Sequence, residues 1–322
     1  MLAPNQLVTL VTLGALVACT GNGASTGDAG GDTNTGGDAN VAVDAPASSV
    51  DPANAGAFAV TTEAASIPGS AAGRTLPATI YRPTGAPTPA PLVVVSPGFR
   101  MARTQYASYA SHLASWGFVV ILADYADTSF FPDHQKLGSD VKSVVDWALA
   151  RADLAIAPAM IGAAGHSLGG KISVLAASLD PRIKAVVGWD PVDSNSPSVA
   201  PQLMTTLGAA VAVIGETTNA SGGGMPCAPG AENFQQFYAA SPSPALQMTM
   251  NGADHMDWVD DPSCGVCGFC TAGTLAPDAT RTASKRLDVA WLRRHLLGDT
   301  AMESWLTSPP EVAGGSAQVV RK

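Results

Sequence analysis

The run Gly165-His166-Ser167-Leu168-Gly169 constrains this chain more than any other stretch. It is a G-x-S-x-G pentapeptide lying between a short apolar segment, Met160 to Ala164, and a stretch of helical character, Leu168 to Leu179. The first reads as a buried parallel strand and the second as a helix packed on a sheet. A serine at such a strand-to-helix turn sits on a tight, strained backbone, its hydroxyl exposed above the sheet beside the positive end of the helix. A Cβ on either side of it would collide with the neighbouring strand or helix, which explains the flanking glycines. The chain has 33 glycines, so the pentapeptide alone is a weak signal; its strand and helix context makes it a nucleophile elbow.

An elbow of this kind needs a sheet to stand on, and the rest of the chain supplies one. Phe58 to Thr62, Ala78 to Arg82, Leu92 to Val95, Phe118 to Leu122, Ala185 to Gly188, Ala209 to Ile214 and Leu246 to Met250 read as strands. Leu92 to Val95 is all apolar, as a central strand should be. Tyr106 to Trp116, closed by Gly117, reads as a helix, and so does Leu137 to Ala150, with Val141, Val144, Val145 and Ala148 on one face. Leu287 to Leu297 is expected to be the last helix. Strands alternating with helices predict an α/β fold, a mostly parallel sheet with helices on both faces and its site at the strand carboxyl ends.

A serine hydroxyl is a poor nucleophile until a base takes its proton. Of the five histidines, His166 adjoins Ser167 and is expected to point elsewhere and support the elbow. His112 and His295 lie in helices among surface-like neighbours, and His134 lies in a loop. His255 follows a late strand, where the chain order Ser, acid, His places the base. The acid must then fall between positions 167 and 255. Asp190, in Gly188-Trp189-Asp190-Pro191-Val192-Asp193, is the first candidate, with Asp193 and Glu216 competing. Such a carboxylate fixes the histidine's tautomer and stabilises its imidazolium form. An oxyanion needs backbone donors. Leu168, after the nucleophile, and Phe99, in Ser96-Pro97-Gly98-Phe99 after a central strand, are the candidates. Met101, Trp189 and Met256 flank these positions and are candidate substrate-binding residues.

The formal net charge of −9 excludes a basic footprint for nucleic acid. At the N-terminus Leu7 to Ala18 is apolar but too short to span a membrane, and suits the core of a signal peptide, although no Lys or Arg precedes it. Leu16-Val17-Ala18-Cys19 resembles a bacterial lipobox, which implies lipidation of Cys19. The expected layout is a signal peptide over 1–18, a disordered Gly/Asp/Thr-rich linker over 19–56, a catalytic domain over 57–300 and a tail over 301–322, frayed from Thr307. Export and a lipid anchor would place the protein in a bacterial envelope or outside the cell.

Four cysteines remain: Cys227, Cys264, Cys267 and Cys270. The close spacing of the last three invites a metal or iron–sulfur reading. An exported chain favours disulfides instead. Sequence does not choose among the three pairings, but a bridge from Cys227 to the later cluster would staple two loops near His255.

Taken together these residues resemble an alpha/beta-hydrolase, and more narrowly chlorophyllase, from about Pro91 to Leu297. The resemblance rests on Gly165 to Lys171, on Asp190-Pro191-Val192, on Met225-Pro226-Cys227-Ala228-Pro229 with Asn233-Phe234 and Phe237-Tyr238, and on His255-Met256-Asp257. It implies Ser167, Asp190 and His255 as a catalytic triad, and hydrolysis of a long-chain alkyl ester without metal or organic cofactor. Plant chlorophyllases carry Arg where this chain has Leu168, and a His-Gly pair where it has Ser96-Pro97-Gly98-Phe99. The latter segment is similar to bacterial polyester hydrolases and cutinase-like enzymes. The expected activity is therefore that of a serine esterase for hydrophobic esters. An inactive surface lipoprotein that binds hydrophobic ligands, and acyl transfer to an acceptor other than water, are the competing expectations.

Overall fold

The computed structural model describes residues 50–194, 196–221, 226–263 and 267–322. The expected signal peptide, Cys19, most of the expected linker, Met225 and Cys264 lie outside the described residues.

Nine strands form one sheet: β1 (Val60–Pro68), β2 (Thr75–Pro83), β3 (Ala90–Ser96), β4 (Val119–Ala123), β5 (Ile156–His166), β6 (Ile183–Trp189), β7 (Ala210–Glu216), β8 (Ala245–Met250) and β9 (Ala317–Arg321). Their spatial order is β1-β2-β4-β3-β5-β6-β7-β8-β9. From β4 to β8 every pairing is parallel, whereas β1 on β2, β2 on β4 and β9 on β8 are antiparallel. Every residue of β3, β4 and β7 is buried. Parallel strands covered on both faces read as continuous apolar runs for this reason.

Side chains alternate across the sheet and build two cores. Val93, Val95, Val120 and Val187 pack against the helices α1 (Ala107–Ser115) and α5 (Pro277–Leu296). Leu92, Val94, Ile121 and Val186 pack against α2 (His134–Ala150), α3 (Leu168–Leu179) and α4 (Phe234–Ala240). Strand order and helix placement are those of the alpha/beta-hydrolase fold.

Several expected boundaries differ: β1 runs on to Pro68, β5 starts at Ile156, and α2 starts at His134, which was expected in a loop. Three further differences change the packing. Helix α5 begins at Pro277, a full ten positions before the expected Leu287. Its first half buries Thr280, Ala283 and Ser284, small residues that carry little hydropathy signal; Ser284 accepts the indole N–H of Trp258 at 2.8 Å. The segment expected to be a frayed tail is ordered into α6 (Glu303–Thr307), α7 (Pro310–Ala313) and β9. β9 covers the outer edge of β8, whose backbone groups would otherwise stand open. The described end of the expected linker packs on the domain. Arg286 binds Asp51 through two 2.8 Å bonds, the Trp116 indole donates to Asn54 O at 2.9 Å, and Nε2–H of His112 donates to Pro52 O at 2.8 Å. His112 is accordingly half-buried and neutral: burial pushes its imidazole down to about 4.

Cys227 and Cys270, 43 residues apart, form a disulfide. It ties the segment after β7 to the segment that follows His255 and so settles for Cys227 a pairing that the sequence left open. Cys267 is disulfide-bonded as well, so none of these three sulfurs is a free thiolate for a metal. Closing a loop of this length removes enough chain entropy to stabilise the fold by about 2–4 kcal/mol. The double variant Cys227→Ser/Cys270→Ser is expected to lose that amount in a denaturant titration; an unchanged midpoint would contradict the assignment.

Candidate active site

The site assembles at the carboxyl ends of β5, β6 and β8. At the end of β5 the backbone must reverse into α3 within one residue, and Ser167 takes φ 54° and ψ −120° to do so. This left-handed backbone is held from outside, because Ser167 N–H donates to Trp189 O at 2.9 Å. The elbow glycines are needed for close approach. A Cβ on Gly165 would lie 2.5 Å from Gly169 backbone, and one on Gly169 would lie 2.0 Å from Ser96 O. A Cβ on Gly170 would meet Pro191 at 2.7 Å, so the second glycine of the Gly169-Gly170 pair and the proline of Asp190-Pro191-Val192 are two halves of one contact.

Asp190 follows β6 directly, with φ 41°, and its N–H donates to Ile214 O at 2.6 Å. The turn throws its carboxylate toward the loop after β8. That loop is laced by its own acids: Met256 N–H donates to Asp254 Oδ1 at 2.8 Å, and Gly273 N–H donates to Asp254 Oδ2 at 2.7 Å. It presents His255 between the two other residues. Nδ1 of His255 lies 2.6 Å from Asp190 Oδ2, and Nε2 lies 3.0 Å from Ser167 Oγ. A carboxylate can only accept, so the proton sits on Nδ1 and Nε2 is left to accept from the serine hydroxyl.

The competing acids are engaged elsewhere. Asp193 accepts from Ser198 Oγ at 2.6 Å and from the amides of Val199 and Ala200, and lies 3.2 Å from Lys171 Nζ. Glu216, at the end of β7, accepts the backbone N–H groups of Thr218 and Asn219. Burial, then the neighbouring charge of Asp190, pushes its carboxyl up to about 7.

Phe99, Met101 and Leu168 line one cavity of about 370 Å³, together with Pro77, Tyr125 and Pro132. Leu168 is the first residue of α3, so its N–H has no helical carbonyl to bond. In the facing loop Gly98 N–H is taken by Tyr106 Oη at 3.1 Å, which leaves Phe99 as the next amide at the cavity. Tyr125 steadies this loop by donating to Pro97 O at 2.9 Å.

All three expected substrate-binding residues belong to one buried cluster, and two of them do not line this cavity. Trp189 is fully buried; its ring lies 4.4 Å from that of Tyr109, and its indole N–H donates to Asp288 at 2.8 Å. As the last residue of β6 it falls on the α1/α5 face, opposite to the direction in which the following turn sends Asp190. Met256 is buried in the same core. Met101 alone of the three reaches the cavity.

Sequence reasoning missed two features. Tyr106, buried below the site, contacts His166. Phe130 and Phe131, between β4 and α2, are 67% and 90% exposed and flank cavity residues Ser129 and Pro132. The Arg100 guanidinium lies 4.1 Å over the Phe130 ring and donates to Thr128 O at 3.1 Å, so one ring of this pair is held in place. Two adjacent phenylalanines in a loop are the only signal the sequence carries for such a lip.

Residues 51–321 match the family model described as Chlorophyllase. Among curated proteins, Chlorophyllase-1 of Arabidopsis thaliana is 28% identical over 267 residues, which span 74% of this chain and 81% of that protein. Bis(hydroxyethyl) terephthalate hydrolase of Streptomyces coelicolor is 26% identical over 239 residues, 72% of this chain and 66% of its own length. Cutinase est2 of Thermobifida alba is 27% identical over 277 residues, 82% of this chain and 78% of its own.

Proposed function

The chain belongs to the chlorophyllase family, and from that premise we propose that it is a serine carboxylic-ester hydrolase acting on hydrophobic esters. The observation that carries this reading is the position of His255, within hydrogen-bond reach of both Ser167 and Asp190. His255 takes the proton of Ser167 as its Oγ attacks the ester carbonyl. The negative oxygen of the tetrahedral intermediate is received by the amides of Leu168 and Phe99. Asp190 stabilises the imidazolium, which then protonates the leaving alcohol. Water, activated by the same histidine, releases the acid from the acyl-enzyme.

The hydrophobic preference is supported by the cavity wall of Phe99, Met101 and Leu168 and by the exposed phenylalanines beside it. It agrees with relatives named for chlorophyll, cutin and a terephthalate ester. The Cys227–Cys270 disulfide supports an extracytoplasmic setting. We further propose that Cys19 is lipidated after removal of residues 1–18 and that the following segment tethers the enzyme to an envelope membrane.

Purified protein is expected to hydrolyse p-nitrophenyl esters, with a preference for longer acyl chains. Replacing both Phe130 and Phe131 by Ser is expected to leave the short-ester rate within about twofold and to lower the long-ester rate about tenfold, roughly the contribution of one buried aromatic ring. Absence of hydrolysis of every ester by the folded protein would overturn the reading. Equal loss on short and long esters would remove the phenylalanines from substrate binding.

A further inference from the structure

We propose that Tyr106 and His166 are positioning residues that form one rigid strut, tying the loop that carries Phe99 to the loop that carries His255. The inference rests on the hydrolase reading above, and goes beyond it by assigning work to two residues that touch no reacting atom.

The strut is a chain of three hydrogen bonds with one consistent direction. Gly98 N–H donates to Tyr106 Oη at 3.1 Å. Tyr106 Oη lies 2.8 Å from His166 Nδ1, and His166 Nε2 lies 2.8 Å from the backbone carbonyl of His255. The carbonyl can only accept, so the proton of His166 is on Nε2. Nδ1 is then an acceptor, and the tyrosine hydroxyl must donate to it while receiving Gly98. Tyr106 and His166 each accept one bond and donate the next in the same sense, and such chains strengthen one another in a dry interior. Tyr106 is fully buried and His166 nearly so, which leaves no solvent to replace a lost partner. Burial first, and the neighbouring His255 next, hold the His166 imidazole far below its ordinary range, so it stays neutral, and the His255 carbonyl keeps its proton on Nε2.

The backbone is shaped to the strut. A Cβ on Gly98 would lie 3.0 Å from Tyr106 Oη and 3.1 Å from His166 Nδ1, so glycine is what lets the loop descend onto both. The His166 ring also packs against that of His255, with centroids 4.7 Å apart. The two ends of the strut are therefore the two parts of the site that must be fixed relative to each other. One is the loop offering an amide to the oxyanion; the other is the peptide that aims the base at Ser167. A histidine used only to fill space would need neither the donor nor the acceptor.

Tyr106→Phe and His166→Leu are each expected to lower kcat about tenfold or more with KM within about twofold, because the groups they position act in the transition state. The double variant is expected to be no worse than the poorer single, since both cut one chain. His166→Gln, whose amide keeps one donor and one acceptor at a similar span, is expected to recover most of the lost kcat, and carries the test if His166→Leu does not fold. Losses that multiply in the double variant, or equal impairment of His166→Gln and His166→Leu, would overturn the strut. An activity-independent measurement separates its failure from failure of the hydrolase reading. Imidazole nitrogen NMR is expected to find His166 as the neutral Nε2–H tautomer, and the His255 ring resonances are expected to shift in Tyr106→Phe. Unchanged His255 resonances in that variant would overturn the strut whatever Ser167 does.

Discussion

Ser167→Ala is expected to lower kcat by at least about three orders of magnitude while leaving thermal unfolding and KM nearly unchanged. The Oγ bonds His255, at 3.0 Å, and carries the new covalent bond in the proposed mechanism, so its removal ends acyl transfer through the protein. Alanine keeps the Cβ, and the strained φ of 54° is imposed by the strand and helix on either side, so the fold loses little. His255→Ala is expected to be about as damaging, and the double variant no worse than either, because residues acting as a unit fail as a unit. A Ser167→Ala enzyme with wild-type turnover on a p-nitrophenyl ester would remove the serine from the mechanism.

The second large effect separates two acids. Asp190→Asn is expected to cost about four orders of magnitude in kcat, since an amide no longer enforces the Nδ1–H tautomer or offsets the imidazolium charge. Glu216→Gln is expected to stay within about threefold of wild type. Glu216 stands at the end of β7, where a carboxylate could also serve a histidine, yet its oxygens are occupied by the amides of Thr218 and Asn219. The sign of their interaction gives a further check. Burial and the Asp190 charge both raise the Glu216 carboxyl, to about 7. Removing the Asp190 charge leaves burial to raise it against the lowering bonds from Asn219 and Thr218, so in Asp190→Asn the Glu216 titration is expected to move to lower pH, readable by carboxyl carbon NMR. A collapse of activity in Glu216→Gln with a mild effect of Asp190→Asn would transfer the role of the acid to β7.

Much of this architecture was legible because parallel strands covered on both faces leave uninterrupted apolar runs. β3, β4 and β7 are such runs, and the elbow sets the start of α3 at Leu168. The elements missed are those that hydropathy does not mark. The first half of α5 packs through Thr280, Ala283 and Ser284, and β9 buries only Ala317 and exists because β8 needs an edge partner. Residues 51–56 look like linker by composition, yet Asp51 finds Arg286 across 235 positions of sequence. Chain order and strand ends, which set where side chains emerge, pointed to Ser167 and His255 and left Asp190 competing with Asp193 and Glu216; of these three acids it is Asp190 that the structure brings within hydrogen-bond reach of His255. What surrounds them could not be read in that way. Trp189 adjoins Asp190 in sequence but faces the other side of the sheet, and Tyr106 reaches His166 only through the tertiary fold. Adjacency along the chain fixes neither direction nor depth.

In the proposed mechanism Ser167 becomes acylated. Treating the folded protein with an alkyl fluorophosphonate and mapping the adduct by peptide mass spectrometry tests it most directly. One adduct per chain is expected, on the peptide containing Ser167, formed much more slowly in His255→Ala and absent in Ser167→Ala. A protein that hydrolyses esters yet labels at another residue, or remains unlabelled, would contradict it.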